Sequence, residues 1–439
     1  MAASSSTATM TTAENSVMHL AFNQDSSCLA VSLASGVIRV YHTASHEICY
    51  ERSSPGEMQP VALVEMLYAT SLLATAGSGT RGSSPRRVSV LNTASSSEIA
   101  SLSFVSSVLA VRLSRSRLCV LLEQKLLIHE LDSLALRISI DIPKRAVHRQ
   151  KMCAMSAPPN ASFFALPLES GGVLVVDAGR CATLGQVDCH TSPAHCVAIS
   201  HDGSTLASAS ERGTLIKLHA LPSAAALGSF RRGSTPAEVF ALAMGPPDEE
   251  RPPRVLCAAS SGGTVHVFSL VDSTGGNVGV GGGGRSGSTS SSAGGMAAKG
   301  AGIAAWVLSS VPPLRDVDAP RASVAIKLPS RCRTVLAILP SSSLSSGGGN
   351  VVGNGASGNG GGGGGGNAVV GSGSGVFSSS DDEEFRVGVV DCIQGILYEY
   401  VVRVGGSDGS AGGSDVWTAS LRRELIIRMG DVVDSRHAR

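Results

Sequence analysis

From about Ser16 onward, apolar residues come in runs of about four to seven, each cut short by Ser, Gly or Asp, and this spacing excludes most folds. The clearest runs are Val17–Phe22, Cys28–Val31, Val37–Tyr41, Leu72–Thr75, Val88–Leu91, Val108–Leu113, Leu118–Leu122 and Leu126–His129. They are rich in Val, Leu and Ile, whose side chains suit a pleated, half-buried surface. Few windows keep a helical period for three turns, and the best of them, Glu424–Val433, is too β-branched to read as a helix. The chain is predicted to be all-β.

The runs also repeat. Asp25–Val31 precedes Ser35–Tyr41, Asp202–Ser208 precedes Arg212–Leu218, and Arg254–Ala259 precedes Gly263–Phe268. Each pair reads as a strand, a small-residue turn and a second strand, the signature of a propeller blade. No Trp-Asp dipeptide closes any of them, so the repeats are degenerate. Two Gly/Ser-rich stretches interrupt the pattern, at 274–302 and at 341–380, the second containing the unbroken run Gly360–Gly366. Such stretches bury too little apolar surface to order themselves and are expected to be flexible inserts. Without them roughly 350 residues are left, enough for about seven blades at ~40–50 residues each. The expected organisation is a disordered leader over 1–15, a single seven-bladed propeller over 16–433 carrying both inserts, and a tail over 434–439.

Charge and cysteine usage narrow the function. Lys and Arg number 35 against 34 Asp and Glu, a net charge of +1, so bulk charge gives no basis for nucleic-acid binding or a polybasic membrane tail. Any recognition of anions has to be local. The ten cysteines are scattered without a Cys-x-x-Cys pair, which fits reduced, buried thiols in the cytosol. Cys189-His190 and His195-Cys196 lack the spacing of zinc ligands, so no metal or cofactor is expected. The first ten residues have neither the charge nor the apolar core of a signal peptide, and no apolar stretch approaches the ~20 residues of a membrane span. A cytoplasmic protein that meets membranes from outside is expected.

The most informative residues for function are Arg231 and Arg232, in the run Phe230-Arg231-Arg232-Gly233. Adjacent residues on an extended segment point to opposite sides. A double arginine there serves two neighbouring pockets, each guanidinium gripping phosphate oxygens through paired hydrogen bonds.

In this ordered context the chain resembles the PROPPINs, WD-repeat-like β-propellers that bind polyphosphoinositides. The resemblance runs through Phe22–Asp25, Val64–Leu67, Thr70–Ala74, Ser84–Arg87, Ala110–Leu118, Leu121–Glu123, Ala207–Thr214, Phe230–Gly233 and Gly263–Phe268. The Phe form of the signature and the Ser84-Pro85-Arg86-Arg87 loop are similar to the autophagy branch. The resemblance implies two headgroup pockets, one with Arg231, His190, Ser210, Arg212 and Thr214, the other with Arg232, Ser260, Thr264 and His266. Ala259 stands where relatives often carry a second hydroxyl, Gly262 where they can carry a polar side chain, and Ser234 and Thr235 where some have basic residues, so the second pocket is expected to be the weaker. The resemblance also implies a membrane-inserting loop, here 274–302 with Met296, Lys299, Ile303 and Trp306 at and just beyond its far end, and a partner-docking loop at Ser84, Pro85, Arg86 and Arg87.

The implied function is a peripheral adaptor for phosphatidylinositol 3-phosphate and the 3,5-bisphosphate in autophagosome formation and endolysosomal traffic. It would be recruited to preautophagosomal, endosomal or vacuolar/lysosomal membranes, with autophagy proteins such as a lipid-transfer protein as partners. The competing class is a protein-interaction scaffold whose arginines bind an acidic peptide and no lipid. An enzyme is not expected. Gly77–Gly82 matches a dinucleotide fingerprint in form, but Pro85 and a strand follow it instead of a helix. Asp381–Glu384 reads as a solvating acidic run ahead of a strand.

Overall fold

A computed structural model describes residues 16–52, 59–142, 153–156, 158, 162–246, 252–270, 319–340, 383–405 and 416–427. Met296, Lys299, Ile303 and Trp306, the 1–15 leader, the 434–439 tail and the two glycine-rich stretches lie outside these residues.

The alternating runs form seven four-stranded antiparallel sheets, each built from consecutive strands. Blade 1 is β1 Val17–Phe22, β2 Cys28–Leu33, β3 Ile38–His42 and β4 Ile48–Arg52. Blade 2 is β5 Val61–Met66, β6 Leu72–Gly77, β7 Arg87–Asn92 and β8 Ser97–Ser103. Blade 3 is β9 Val108–Leu113, β10 Arg117–Leu122, β11 Lys125–Glu130 and β12 Leu136–Asp141. Blade 4 is β13 Ala154–Met155, β14 Phe163–Pro167, β15 Gly172–Asp177 and β16 Ala182–Asp188. Blade 5 is β17 Ala194–Ile199, β18 Thr205–Ser210, β19 Leu215–Ala220 and β20 Ala226–Arg231. Blade 6 is β21 Val239–Gly245, β22 Val255–Ser260, β23 Thr264–Ser269 and β24 Val324–Lys327. Blade 7 is β25 Thr334–Leu339, β26 Glu383–Asp391, β27 Ile396–Gly405 and β28 Val416–Ile426. The chain is therefore a seven-bladed β-propeller.

The second strand of a blade is covered on both faces. All six residues of β2, β18 and β22 are buried, which is why these strands read as continuous small and apolar runs rather than as alternation. The outermost strands β4, β8 and β12 are largely exposed and alternate with polar residues. The stretches 271–318 and 341–382 both fall between strands of one sheet, β23 and β24 in the first case, β25 and β26 in the second. Of the acidic run, Glu383 and Glu384 already belong to β26, and Glu384 Oε2 accepts from Arg403 Nε at 3.0 Å.

Blades 1 and 7 meet without sharing a strand. Leu29, Val31 and Tyr41 of blade 1 pack against Val390, Leu397, Leu425 and Ile427. Tyr41 Oη donates to Ile427 O at 2.7 Å. The carboxylate of Glu399, 1% exposed, lies 3.3 Å from His46 Nε2 of blade 1 and accepts from Arg386 at 3.1 Å and Arg422 at 3.2 Å within blade 7. Burial opposes its charge, but His46 and the two guanidiniums more than offset this and hold the carboxyl below its usual range. Because the folded-state value is depressed, the stability that Glu399 contributes is present above the unfolded value near 4.5 and is lost as pH falls through the folded one.

Glu399→Gln is expected to lower stability by about 3 kcal/mol or more, since it leaves Arg386 buried beside an uncharged partner. Tyr41→Phe should cost only about 1 kcal/mol. Urea unfolding checks both, and equal, small effects would show that the network does not hold the ring closed.

Candidate functional site

The end of β20 meets the turn between β18 and β19 on one rim of blade 5. Arg232 N–H and Gly233 N–H both donate to Thr214 O, at 2.9 and 3.4 Å. Gly213 lets the turn approach so closely. Its φ is +56°, and a Cβ there would lie 2.0 Å from Ala237 O.

Alternation then assigns every side chain to a seam between blades. On β18, Leu206 packs into the core shared with blade 4, whereas Ala207 and Ala209 face blade 6. Ser208 and Ser210 therefore face blade 4. On β19, Ile216 and Leu218 face blade 6, so Lys217 faces blade 4. On β20, Phe230 faces blade 6, its ring centroid 5.3 Å from that of Phe268. Ser229 and Arg231 consequently face blade 4, and Arg232 turns back toward blade 6.

The seam between blades 4 and 5 thus collects Arg231, Ser210 and His190, as the sequence suggests. His190 is held by its N–H bond to Gly171 O at 2.9 Å, and its Nε2 is hydrogen-bonded to Ser208 Oγ at 3.1 Å. Arg212 and Thr214 sit in the turn above. Arg212 is exposed, and its carbonyl accepts from Ala237 N at 3.1 Å.

Four residues of this region escape the sequence reading. Ser208, Lys217 and Ser229 are register partners across three strands, in line with one another below Ser210 and Arg231. Ser229 Oγ is buried with no hydrogen-bond partner among the described residues. The fourth is Arg321. Arg231 N–H donates to Pro320 O at 2.8 Å, and Arg231 and Arg321 form a parallel bridge, so an exposed arginine stands beside the half-buried Arg231.

The seam between blades 5 and 6 holds Arg232, Ser260, Thr264 and His266. Ser260 and Thr264 are register partners, and His266 stacks 6.5 Å from Phe268. Arg232 is 8% exposed, with Nε donating to Gly213 O at 2.6 Å and a terminal nitrogen donating to Thr235 O. Two of its five N–H groups are thereby fixed on backbone carbonyls.

One expectation needs correction. Ala259 does not deprive this seam of a hydroxyl, because it lies on the opposite face, in the core packed against blade 7. His266 is uncharged near neutral pH. Burial, and then the charge of Arg232, push its imidazole down to about 4, and its Nδ1 has no partner among the described residues. Phe230 belongs to the core beneath the signature, 4% exposed, and does not face solvent.

The other sequence candidates separate. Cys189 and Cys196 belong to cores on opposite sides of blade 5, and His195 Nε2 lies 2.9 Å from Glu238 Oε1. Among the described residues there is no group of three or more His, Cys, Asp or Glu able to hold a metal ion, and no helix long and apolar enough to cross a membrane. The loop Ser84–Arg87 is braced by bonds from Phe104 N to Arg86 O and from Val108 N to Pro85 O, both 2.8 Å. Arg86 is exposed beside Val105, which is 89% exposed, whereas Arg87 opens β7 and is ion-paired with Glu98.

Residues 16–287 match the family model described as PROPPIN. The chain is 34% identical over 256 residues to autophagy-related protein 18 of Dictyostelium discoideum, an alignment covering 58% of this chain and 65% of that protein, just under two thirds of its length. It is also 34% identical over 255 residues to autophagy-related protein 18b of Arabidopsis thaliana, covering 57% and 67%. Among solved structures, Kluyveromyces lactis Hsv2 superposes with a TM-score of 0.61 at 15% identity, covering 94% of this chain and 99% of that one. KlAtg21, solved in complex with the coiled-coil of AgAtg16, gives 0.61 at 18% identity with the same coverages.

The position of His266 makes a direct prediction. Its folded-state value lies below the unfolded one near 6.5, so protonation favours unfolding. The stability gained by keeping it neutral is whole above about 6.5 and declines as pH falls toward about 4. NMR titration of the His266 ring should show a midpoint near 4, and Arg232→Gln should raise it only part of the way, because burial persists. A midpoint of 6 or above in the unaltered protein would contradict this geometry.

Proposed function

The chain belongs to the PROPPIN family, and from that membership we propose that it is a peripheral adaptor reading 3-phosphorylated phosphoinositides in autophagosome formation and endolysosomal traffic. Phosphatidylinositol 3-phosphate and the 3,5-bisphosphate are the proposed headgroups. The observation that carries this reading is the splay of Arg231 and Arg232 into two adjacent seams, each lined with hydroxyl and imidazole groups.

In the first seam, Arg231 supplies a charge-assisted fork to phosphate. Ser208, Ser210 and Thr214 offer neutral donors, and Lys217 and Arg321 add charge. In the second, Arg232 is held rigid by two carbonyls, so little is lost in ordering it, and its remaining N–H groups are available to an anion. Ser260 and Thr264 complete that seam. His266 is neutral in the free protein, and an anion arriving beside it would draw a proton onto the ring. The first seam is the more open, since Arg231 is half-buried and Arg232 is buried. Two contacts with one surface make the second effectively intramolecular, which multiplies weak affinities. Apolar groups of the 274–302 region, at about 0.8 kcal/mol per buried methylene, would strengthen the hold.

The scaffold reading is favoured by one observation, the bonding of Arg232 to protein carbonyls, and one experiment separates the two. Arg231→Thr/Arg232→Thr is expected to weaken co-sedimentation with phosphatidylinositol 3-phosphate vesicles by about 100-fold, the scale of lost bivalency. Arg321→Ala should weaken it several-fold, more at low salt. Arg231→Thr, at a half-buried position, should lower the melting temperature less than Arg232→Thr does. Arg232→Thr should also lower stability by about 1–3 kcal/mol, because two carbonyls lose their donor. Vesicle binding that is indifferent to 3-phosphorylation, or that is undiminished by the double substitution, would overturn the lipid reading of these two arginines.

For the partner surface we propose Ser84–Arg87, with Arg86 and Val105 as the exposed polar and apolar elements. Arg86→Glu/Val105→Ser should abolish capture of a lipid-transfer partner while vesicle binding is unaffected. Unchanged partner affinity would remove this loop from consideration.

A further inference from the structure

Three seams round the ring from that between blades 5 and 6, the seam between blades 1 and 2 opens into a cavity of about 450 Å³ on the same rim. Its construction follows from the strands. Leu73 on β6 and Leu91 on β7 pack against Ala30 and Ile38 of blade 1. The next positions on the same faces are Thr75 and Gly77 on β6, and Ser89 and Arg87 on β7, so the seam changes from apolar to polar toward the rim. Across it stands Arg52, the register partner of Ile38 and therefore pointing toward blade 2.

Gly77 fixes the wall. A Cβ there would lie 2.3 Å from Ser83 Oγ and 2.5 Å from Ser84 O, so only a residue without a side chain lets the loop close against β6. Ser83 is anchored by its hydroxyl, which donates to Pro60 O at 2.7 Å. Arg87 is ion-paired with Glu98, while Arg52 makes no hydrogen bond or ion pair among the described residues.

We propose that this cavity is a third anion site, one that takes a phosphorylated polyol. Two guanidiniums against a single carboxylate leave one positive charge, which suits phosphate rather than a neutral sugar. Thr75 and Ser89 bring hydroxyls to the wall, and Glu98 can accept from ligand hydroxyls, which a bare inorganic anion would not use. The volume is within the usual ~300–1,000 Å³ of small-molecule sites. Val61 is the only large apolar side chain lining it, so an apolar ligand has little to bury against. The site is distinct from both seams of blade 5 and does not depend on the lipid reading of them. The same chemistry is offered by a soluble inositol phosphate and by a lipid headgroup.

The test is calorimetry on the full chain with soluble myo-inositol 1,3-bisphosphate. In the Arg231→Thr/Arg232→Thr background one saturable site should persist. Adding Arg52→Gln should weaken it at least about tenfold, the effect of one charge-assisted contact. Ser89→Leu, which fills the cavity without altering charge, should weaken it similarly. Should the double-arginine background fold poorly, Arg52→Gln alone in the otherwise unaltered chain should reduce the bound stoichiometry by one and leave the melting temperature unchanged. Phosphatidylinositol 3-phosphate vesicles identify the source. If vesicle binding in the double-arginine background is absent, the ligand is soluble; if it is present and lost with Arg52→Gln, the ligand is a headgroup. Absence of a residual site, an unchanged Kd after Arg52→Gln, or preference for a phosphoserine peptide over the polyol phosphate would overturn the proposal.

Discussion

Every blade of this ring has both faces covered by its neighbours, and the remaining features of the molecule follow from that arrangement. Side chains at successive positions of a strand then enter different seams rather than core and solvent. In most places both seams are apolar, as for Leu206 against blade 4 and Ala207 against blade 6. At the end of β20 the alternation continues into charged residues, and Arg231 and Arg232 part to opposite sides. The Phe230 ring on Phe268 and the Thr214 carbonyl, which accepts from two successive N–H groups, fix where the parting occurs.

The same geometry explains why polar pockets appear at one rim. Core packing between blades relies on the middle of each strand, and toward the turn between the second and third strands the seam-facing positions become hydroxyls and charges. Ser208 and Ser210 do this beside blade 4, Ser260 and Thr264 beside blade 5, and Thr75 and Ser89 beside blade 1. The three seams differ in how their arginines are held. Arg232 is stapled to two carbonyls, Arg87 is tied to Glu98, and Arg231 is fixed through its backbone while its neighbour Arg321 arrives from another blade.

Much of this was legible in the sequence, for physical reasons that also mark where legibility ended. The run Val17–Phe22 coincides with β1 and Val108–Leu113 with β9, because short apolar runs between turn residues leave little choice of element. The pairing of the double arginine with Ser210, Ser260 and Thr264 was accessible through the resemblance. Ser208, Lys217 and Ser229 were not, although they share the parity of Ser210 and Arg231, because parity names a face only once it is known which neighbour packs there. The same gap hides from the sequence that Ala259 faces blade 7. Arg321 is distant in sequence from Arg231, and a backbone bridge brings the two together. The protonation state of His266 depends on burial and on Arg232, neither of which is local to it in the chain.

The position of the long glycine-rich stretch at 341–380 is also intelligible. Loop closure becomes costlier only slowly with length, so lengthening a connection tenfold opposes pairing by about 2 kcal/mol. Blade 7, which carries that stretch between its first two strands, has the longest strands of the ring, with 9, 10 and 11 residues in β26, β27 and β28. Their extra pairing can offset the longer connection. It also gives Glu399 a rigid setting within β27, from which it reaches His46 of blade 1. Blade 7 thus combines a long interruption with the most extensive pairing, and it is the one that must complete a ring closed by packing and a buried ion network rather than by a shared strand.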